Sequence, residues 1–363
     1  MLQLTFLGTS AGVPTKQRNV TALAVECLNP YISAAKTQKK SRPWLLIDCG
    51  ESTQQQLLHT NLTLHQLTAI CITHVHGDHC YGLPGLLASA AMSGRRAPLT
   101  IIAPKAIAKL LDAVKLTTEL YLPFAINFMA IEDVLLQQKG KVVITLDNQH
   151  QLDIVITPLS HRVPSHAFTI MQTISQRTLD TAKLIANGIP ASSLWGKLQQ
   201  GQDVHTADGQ HLHCGDYVHD NQRRTKIVVA GDNDNPDLLT QAVVGADVLV
   251  HEATYTSDVL ARIQVKNPEF DPMHSSAKQV GKFAQEVGIN NLILSHFSAR
   301  YQNFDNPQRG IPNMGHIRQD AESSYQGNLW LATDFAQYIV NGAKEGEANS
   351  GIQYVGSARA HRE

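Results

Sequence analysis

The sequence lacks most of the features that would send a chain into a membrane or out of the cell. No apolar run approaches the roughly 18 residues that a membrane-crossing helix needs, so no span is expected. The opening stretch MLQLTFLGTSAGVP goes straight into a strand-like pattern. It has no basic leader and no small-residue cleavage site, which argues against a signal peptide. The five cysteines, Cys27, Cys49, Cys71, Cys80 and Cys214, are odd in number and scattered, with no C-x-x-C pair. That excludes a disulfide framework and points to reduced thiols in a cytoplasmic protein. A basic excess is missing too: 30 Lys and Arg stand against 31 Asp and Glu, a net charge of −1. Any binding of nucleic acid therefore has to be local rather than driven by overall charge. Internal repeats and low-complexity tracts are absent. What remains is 363 residues with 43% hydrophobic content, enough for one large layered core or two ordinary domains.

Against this background one stretch stands out. ITHVHGDHCYG, residues 72–82, carries His74, His76, Asp78 and His79 within six positions. It follows LTAICIT, a short apolar run with β-branched residues that reads as a buried strand. The chain would thus leave the sheet at a strand's C-terminal end, where open α/β sheets place their sites. His74 and His76 can converge on one cation, and Asp78 and His79 on a second beside it. Imidazole nitrogen and carboxylate oxygen suit zinc and leave room for water. His59, His65, His150 and His316 have no such spacing and read as ordinary core or surface residues. Cys80 adjoins His79 and reads as a packed neighbour.

H-x-H-x-D-H after an apolar strand resembles the signature of the metallo-β-lactamase superfamily. That resemblance implies two metals in one cleft and three further ligands, each placed after a strand. His161 in DIVITPLSHRVPSHAFTI, Asp232 in RRTKIVVAGDNDNPD and His296 in NNLILSHFSARY fit that order, with Asp232 expected to bridge. FLGTSAGVPTKQRNV, LIDCGESTQQQLL, HGDHCYGLPGLL, VLVHEATY, HSSAKQV and LSHFSARY occur together as well. This set resembles the short-form ribonuclease Z family, tRNA 3′-processing endonucleases, from about residue 1 to about 302. The resemblance implies an α/β four-layer αβ/βα sandwich with a protruding arm, and two zinc ions per chain. It implies cutting of precursor tRNA after the discriminator base, by a homodimer in which one subunit's arm holds tRNA for the other's cleft. His74, His76 and His161 would hold one zinc, and Asp78, His79 and His296 the other. Asp78 resembles the residue that orients or deprotonates the attacking water. His274, in MHSSAKQV, is the candidate proton donor to the leaving oxygen, with Glu252 in HEAT to orient it.

The chain is accordingly expected to form one domain over residues 1–340, with the arm inserted at about 171–225 and a polar, disordered tail at 341–363. Long excursions within compact domains are uncommon and often functional. This arm departs from the family's basic pattern. Arg177, Lys183, Lys197, Arg223 and Arg224 are balanced by Asp180, Asp203, Asp208, Asp216 and Asp220. Ser192-Ser193 stands where the family shows Gly-Pro, and residues 303–363 match the family poorly. Ser275 and Ser276 open an apparent helix, where they are expected to cap rather than bind phosphate. A DNA or cyclic-nucleotide phosphodiesterase of the same superfamily is the alternative activity. An inactive metal-bound scaffold would have lost ligands, and here all seven candidates stand.

Overall fold

A computed structural model describes residues 1–30, 42–147, 149–342 and 351–359. Two sheets face each other. The first has eight strands in the order Gly351–Ser357, Ala336–Asn341, Leu2–Gly8, Ala22–Cys27, Trp44–Ile47, Leu67–Cys71, Leu99–Ala103 and Ile126–Ala130. The second has seven, in the order Asn328–Leu331, Asn291–Ser295, Val248–Glu252, Val218–Ala230, Ser165–Leu179, His150–Leu159 and Lys141–Asp147.

Period-two alternation builds the layers, because successive strand side chains point to opposite faces. Leu45, Ile47, Ala69 and Cys71 turn inward to meet Phe168, Ile170, Ile227, Val229 and Val250 of the opposite sheet. Their strand neighbours Trp44, Leu46 and Ile70 turn outward onto the helices Leu83–Met92 and Lys105–Thr118. On the other side, Val228, Leu249, Leu292 and Leu294 pack on the helices Ala277–Glu286 and Met314–Glu322. Helix, sheet, sheet and helix are thus stacked in the expected four layers. The helix at 277–286 buries Ala277, Val280, Gly281 and Ala284, the spacing of one helical face. Ser276 caps it by accepting the Gln279 N–H, as expected, while Ser275 Oγ donates instead to the Asn233 carbonyl at 2.6 Å.

Two expectations need correction. The tail is not wholly irregular: Gly351–Ser357 pairs antiparallel with Ala336–Asn341 and extends the first sheet past residue 340. Positions 343–350 and 360–363 lie outside the described residues. The arm also begins later than residue 171, because Met171–Ile174 still pair with His150–Asp153 inside the second sheet. Beyond Ile174 only the antiparallel ribbon of Ser165–Leu179 with Val218–Ala230 continues, ending at the pair Leu179–Val218. Residues 180–217 form its tip, with the short helices Thr181–Ala186 and Ser193–Gln199 and a small hairpin. The tip has its own core of Leu184, Ile189, Leu198, Val204, Leu212 and Tyr217.

Candidate functional site

The apolar strands deliver their polar ends to one edge of the sandwich. From the first sheet, Asp48 follows Trp44–Ile47 and the 74–79 segment follows Leu67–Cys71. From the second, His161 follows His150–Leu159, Asp232 follows Val218–Ala230, Glu252 ends Val248–Glu252, and His296 follows Asn291–Ser295. Gly231 lets two of these loops touch, since a Cβ there would lie 2.6 Å from Thr73 Cβ and 2.9 Å from the His166 carbonyl.

All seven sequence-predicted donors converge as two groups, His74, His76, His161 with Asp232, and Asp78, His79 with His296. In the first group His76 Nδ1 lies 3.1 Å from His74 Nε2 and 3.2 Å from His161 Nε2. Asp232 Oδ2 is 3.6 and 3.7 Å from the latter two nitrogens. In the second group His79 Nε2 and His296 Nε2 are 3.2 Å apart, and Asp78 Oδ2 lies 3.5 and 3.4 Å from them. Asp232 Oδ1 faces this pair at 3.4 and 3.3 Å, so each oxygen of one carboxylate serves a different group. A tetrahedral ion with bonds of 2.0–2.1 Å has ligand–ligand edges of about 3.3 Å. The donor set therefore fits two zinc-sized ions sharing Asp232.

The opposite ring nitrogens explain how the imidazoles are aimed. Asp48 Oδ2 accepts from His79 Nδ1 at 2.7 Å, and the Met273 carbonyl accepts from His161 Nδ1 at 2.8 Å. Thr73 Oγ1 gives its proton to Asp48, so it accepts from His74 Nδ1 at 3.0 Å. Thr254 Oγ1 likewise donates to Glu252 and accepts from His296 Nδ1 at 3.0 Å. Each of these four rings thereby presents the Nε2 lone pair to the cleft, the outer support typical of metal-binding histidines. Three non-glycine residues of this shell hold left-handed backbones: Asp48 at φ 59°, Met273 at 54° and His296 at 55°. Such conformations cost free energy and persist where the surroundings over-determine them, often at functional sites.

Charge follows the same plan. Burial and the neighbouring His79, His76 and His161 push the His74 imidazole well below its ordinary value. Burial acts the same way on His79, but Asp232 and Asp48 overcome it and hold that ring well above the usual value. Burial also opposes ionisation of Asp78, yet hydrogen bonds from His296 and His79 hold its carboxyl far below the usual range. The Gly12 N–H adds a contact to Asp78 Oδ2 at 2.7 Å. The buried carboxylates demand positive charge, which a proton on His79 meets in part and cations meet more fully. Beside them, His274 Nδ1 lies 2.9 Å from Glu252 Oε1 and 3.8 Å from Asp232 Oδ2. Burial alone would lower His274, but the Glu252 carboxylate raises it to about 9.

Asp48, Thr73, Thr254 and the Met273 carbonyl are functional positions that the sequence reading missed. All four lie within quoted stretches, LIDCGESTQQQLL, ITHVHGDHCYG, VLVHEATY and MHSSAKQV, but nothing in those stretches sets them apart as supports of the donors. The histidines read as ordinary do find local partners: His65 with the Ser93 carbonyl, His150 with Gln172, His59 against the Phe335 ring, and His316 in a capping box. Cys80 is buried and donates to the Val75 carbonyl.

Known proteins are similar to this chain along most of its length. The family model described as anti-Pycsar protein Apyc1 matches residues 2–174. A protein named ribonuclease Z from Pseudomonas putida (strain W619) is 45% identical over 339 residues, 93% of this chain and 96% of the relative. An alignment of that length runs past residue 302 and corrects the shorter extent expected above. Among solved structures, human tRNase Z, short form, matches with a TM-score of 0.55 at 23% identity, covering 92% of this chain and 98% of the other. The metallo-β-lactamase fold protein YhfI from Bacillus subtilis matches with a TM-score of 0.56 at 15% identity, covering 92% and 97%. These two likenesses are of fold; the identity over nearly the whole length says more, and by it this chain belongs to the ribonuclease Z family.

Proposed function

We propose that the chain is a zinc-dependent endoribonuclease that removes the 3′ trailer from precursor tRNA after the discriminator base. The products are a 3′ hydroxyl on the tRNA and a 5′ phosphate on the trailer. The observation that carries this reading is the pair of donor groups joined by Asp232, set beside a Glu252–His274 pair in a chain of this family. His74, His76, His161 and Asp232 would hold one zinc, and Asp78, His79, His296 and Asp232 the other. When bound, the two ions would supply an activated water and stabilise charge on the phosphoryl oxygens.

The protein's own groups account for the rest. Asp78, held by Gly12, orients or deprotonates the attacking water. As the new oxygen–phosphorus bond forms, the bond from phosphorus to the 3′ oxygen breaks, and that oxygen needs a proton. His274 is placed to give it: Glu252 engages Nδ1, which leaves Nε2 for the substrate. The arm tip, folded on its own core at the end of a two-stranded ribbon, suits capture of the tRNA body for a partner subunit's cleft in a homodimer. No helix of the described residues is long and apolar enough to cross a membrane, and we place the enzyme in the cytoplasm with its substrate.

The same two donor groups would also serve a second reading, a phosphodiesterase acting on DNA or a cyclic nucleotide. The Apyc1 match stops at residue 174, short of Asp232, His296 and the Glu252–His274 pair, whereas the ribonuclease Z match spans them. Incubation of the purified protein with a precursor tRNA lacking encoded CCA, with the cut mapped to the nucleotide, decides between them. Cleavage after the discriminator base is expected. Turnover of a cyclic nucleotide without tRNA cleavage would reverse the assignment.

A further inference from the structure

The arm tip carries a second cluster of metal-ligating side chains, far along the chain from the cleft donors of the first sheet. The hairpin Val204–His205 with His211–Leu212 pairs His205 directly across from His211. His213 follows two residues after His211, so it falls on the same side of an extended chain. The rings of His205 and His211 lie 4.5 Å apart, and those of His211 and His213 lie 4.1 Å apart. His213 Nε2 is 3.1 Å from His211 Nδ1, and its Nδ1 is 3.2 Å from Asp203 Oδ2. Asp203 is fixed in turn by the Cys214 N–H, which donates to Oδ1 at 2.8 Å. Asp203, His211 and His213 bring one ligand atom each within 4.8 Å of one another.

This arrangement repeats one already seen in the cleft. There a carboxylate, Asp48, grips one nitrogen of His79, and the other nitrogen faces a second imidazole at 3.2 Å. In the arm Asp203 grips His213 in the same way, with His211 as the second imidazole at nearly the same spacing. A carboxylate behind a histidine fixes its tautomer and makes the free nitrogen a better donor to a metal. The distance between the two nitrogens again matches a tetrahedral edge of about 3.3 Å.

We propose that the arm binds a divalent transition metal through His211 and His213, with Asp203 orienting His213 and water completing the coordination. The ion adds two positive charges to an arm that, beyond Ile174, carries the basic residues Arg177, Lys183 and Lys197 against the acidic residues Asp180, Asp203, Asp208, Asp216 and Asp220. Phosphate neutralisation by positive charge is the main source of nucleic-acid affinity. That use of the ion rests on the ribonuclease reading; the metal site itself does not.

The test uses full-length protein without a polyhistidine tag, dialysed to equilibrium against Zn²⁺, and its His211→Ala and His213→Ala variants. The metal content of wild type should exceed that of each variant by one ion per chain, whatever the cleft holds. With Co²⁺ as probe, part of the visible absorption should vanish in both variants. These side chains are exposed, so the melting temperature without metal should not move. Equal metal content in wild type and both variants would mean that the cluster is only a hydrogen-bonded pair, and would overturn the site. Precursor-tRNA binding is then measured over a salt series. The logarithmic salt slope should be shallower by about one to two in the variants. An unchanged slope, with one ion lost, would remove the ion from RNA binding while leaving both the metal site and the nuclease reading intact.

Discussion

Replacing Asp48 tests the claim that the cleft depends on residues that never touch the reacting atoms. Asp48 Oδ1 accepts the Thr73 N–H at 2.7 Å, and Oδ2 accepts His79 Nδ1 at 2.7 Å. In Asp48→Asn a single oxygen must serve the Thr73 N–H, Thr73 Oγ1 and His79 Nδ1, and the amide NH₂ faces whichever donor is left over. Leaving a buried donor without an acceptor costs about 1–3 kcal/mol. Asparagine tolerates the left-handed backbone at this position, so no further strain is added. The folded protein should survive with a melting temperature a few degrees lower. Loss of an outer partner typically lowers metal affinity or activity by about 10–100-fold. Asp48→Ala is harsher: three donors, the Thr73 N–H, Thr73 Oγ1 and His79 Nδ1, lose their partner and the φ of 59° disfavours alanine by about 1 kcal/mol or more. The sum, roughly 4–10 kcal/mol, is comparable with the about 5–15 kcal/mol that holds a typical protein folded. The informative measurement is kcat/KM on precursor tRNA for the Asn variant over a zinc series. A defect of 10–100-fold that shrinks as zinc rises is expected. Wild-type kcat/KM at limiting zinc would refute the idea that Asp48 aims His79.

His161→Ala should lose cleavage of every phosphodiester substrate and bind one zinc fewer; near wild-type turnover would show the ligand assignment to be wrong. Replacing the tip, residues 180–217, with a short glycine turn should abolish efficient precursor-tRNA cleavage yet spare a small chromogenic phosphodiester, because the tip has its own core. Equal loss of both activities would make the tip part of the catalytic fold. His274→Ala should slow RNA cleavage by about 10²–10⁴-fold with zinc retained, and far less on a nitrophenyl ester, whose leaving group needs no proton; equal defects would take His274 out of the mechanism. Since Glu252 raises His274 to about 9, the acid is lost as pH rises, and the rate should fall above a pH of about 9 or lower, because cations in the cleft oppose the charge on His274. In Glu252→Gln that limb should move to lower pH, and a fixed limb would argue against the pair.

The seven converging donors were legible because each sits one or a few residues past an apolar run, and strand ends gather at one sheet edge. Their supports were hidden for physical reasons. Thr73 and Thr254 work through hydroxyls that any strand end can carry, and Met273 acts through its carbonyl, which has no side-chain signature. The left-handed turns at Asp48, Met273 and His296 use no glycine, so nothing in the sequence marks them. The strand Gly351–Ser357 escaped notice because it is an edge strand with mostly exposed side chains. Its pairing rests on backbone hydrogen bonds, which leave no alternation to read. The ribbon past Ile174 has the same property: with no sheet packed on it among the described residues, SQRTL and VHDNQ look like loop.

The order in which the donors occur along the chain bears on the protein's synthesis. A ribosome that has released residues 1–200 has produced His74, His76, Asp78, His79 and His161, but neither Asp232, which joins the groups, nor His296. The first strand, Leu2–Gly8, has one neighbour at Ala22–Cys27 and waits for its second, Ala336–Asn341, until translation is nearly over. Pairings so distant in sequence also form slowly. A half-made chain therefore emerges among ribosomes, tRNA and message without a competent cleft. Both donor groups can close only once His296, the last of the seven along the chain, has emerged.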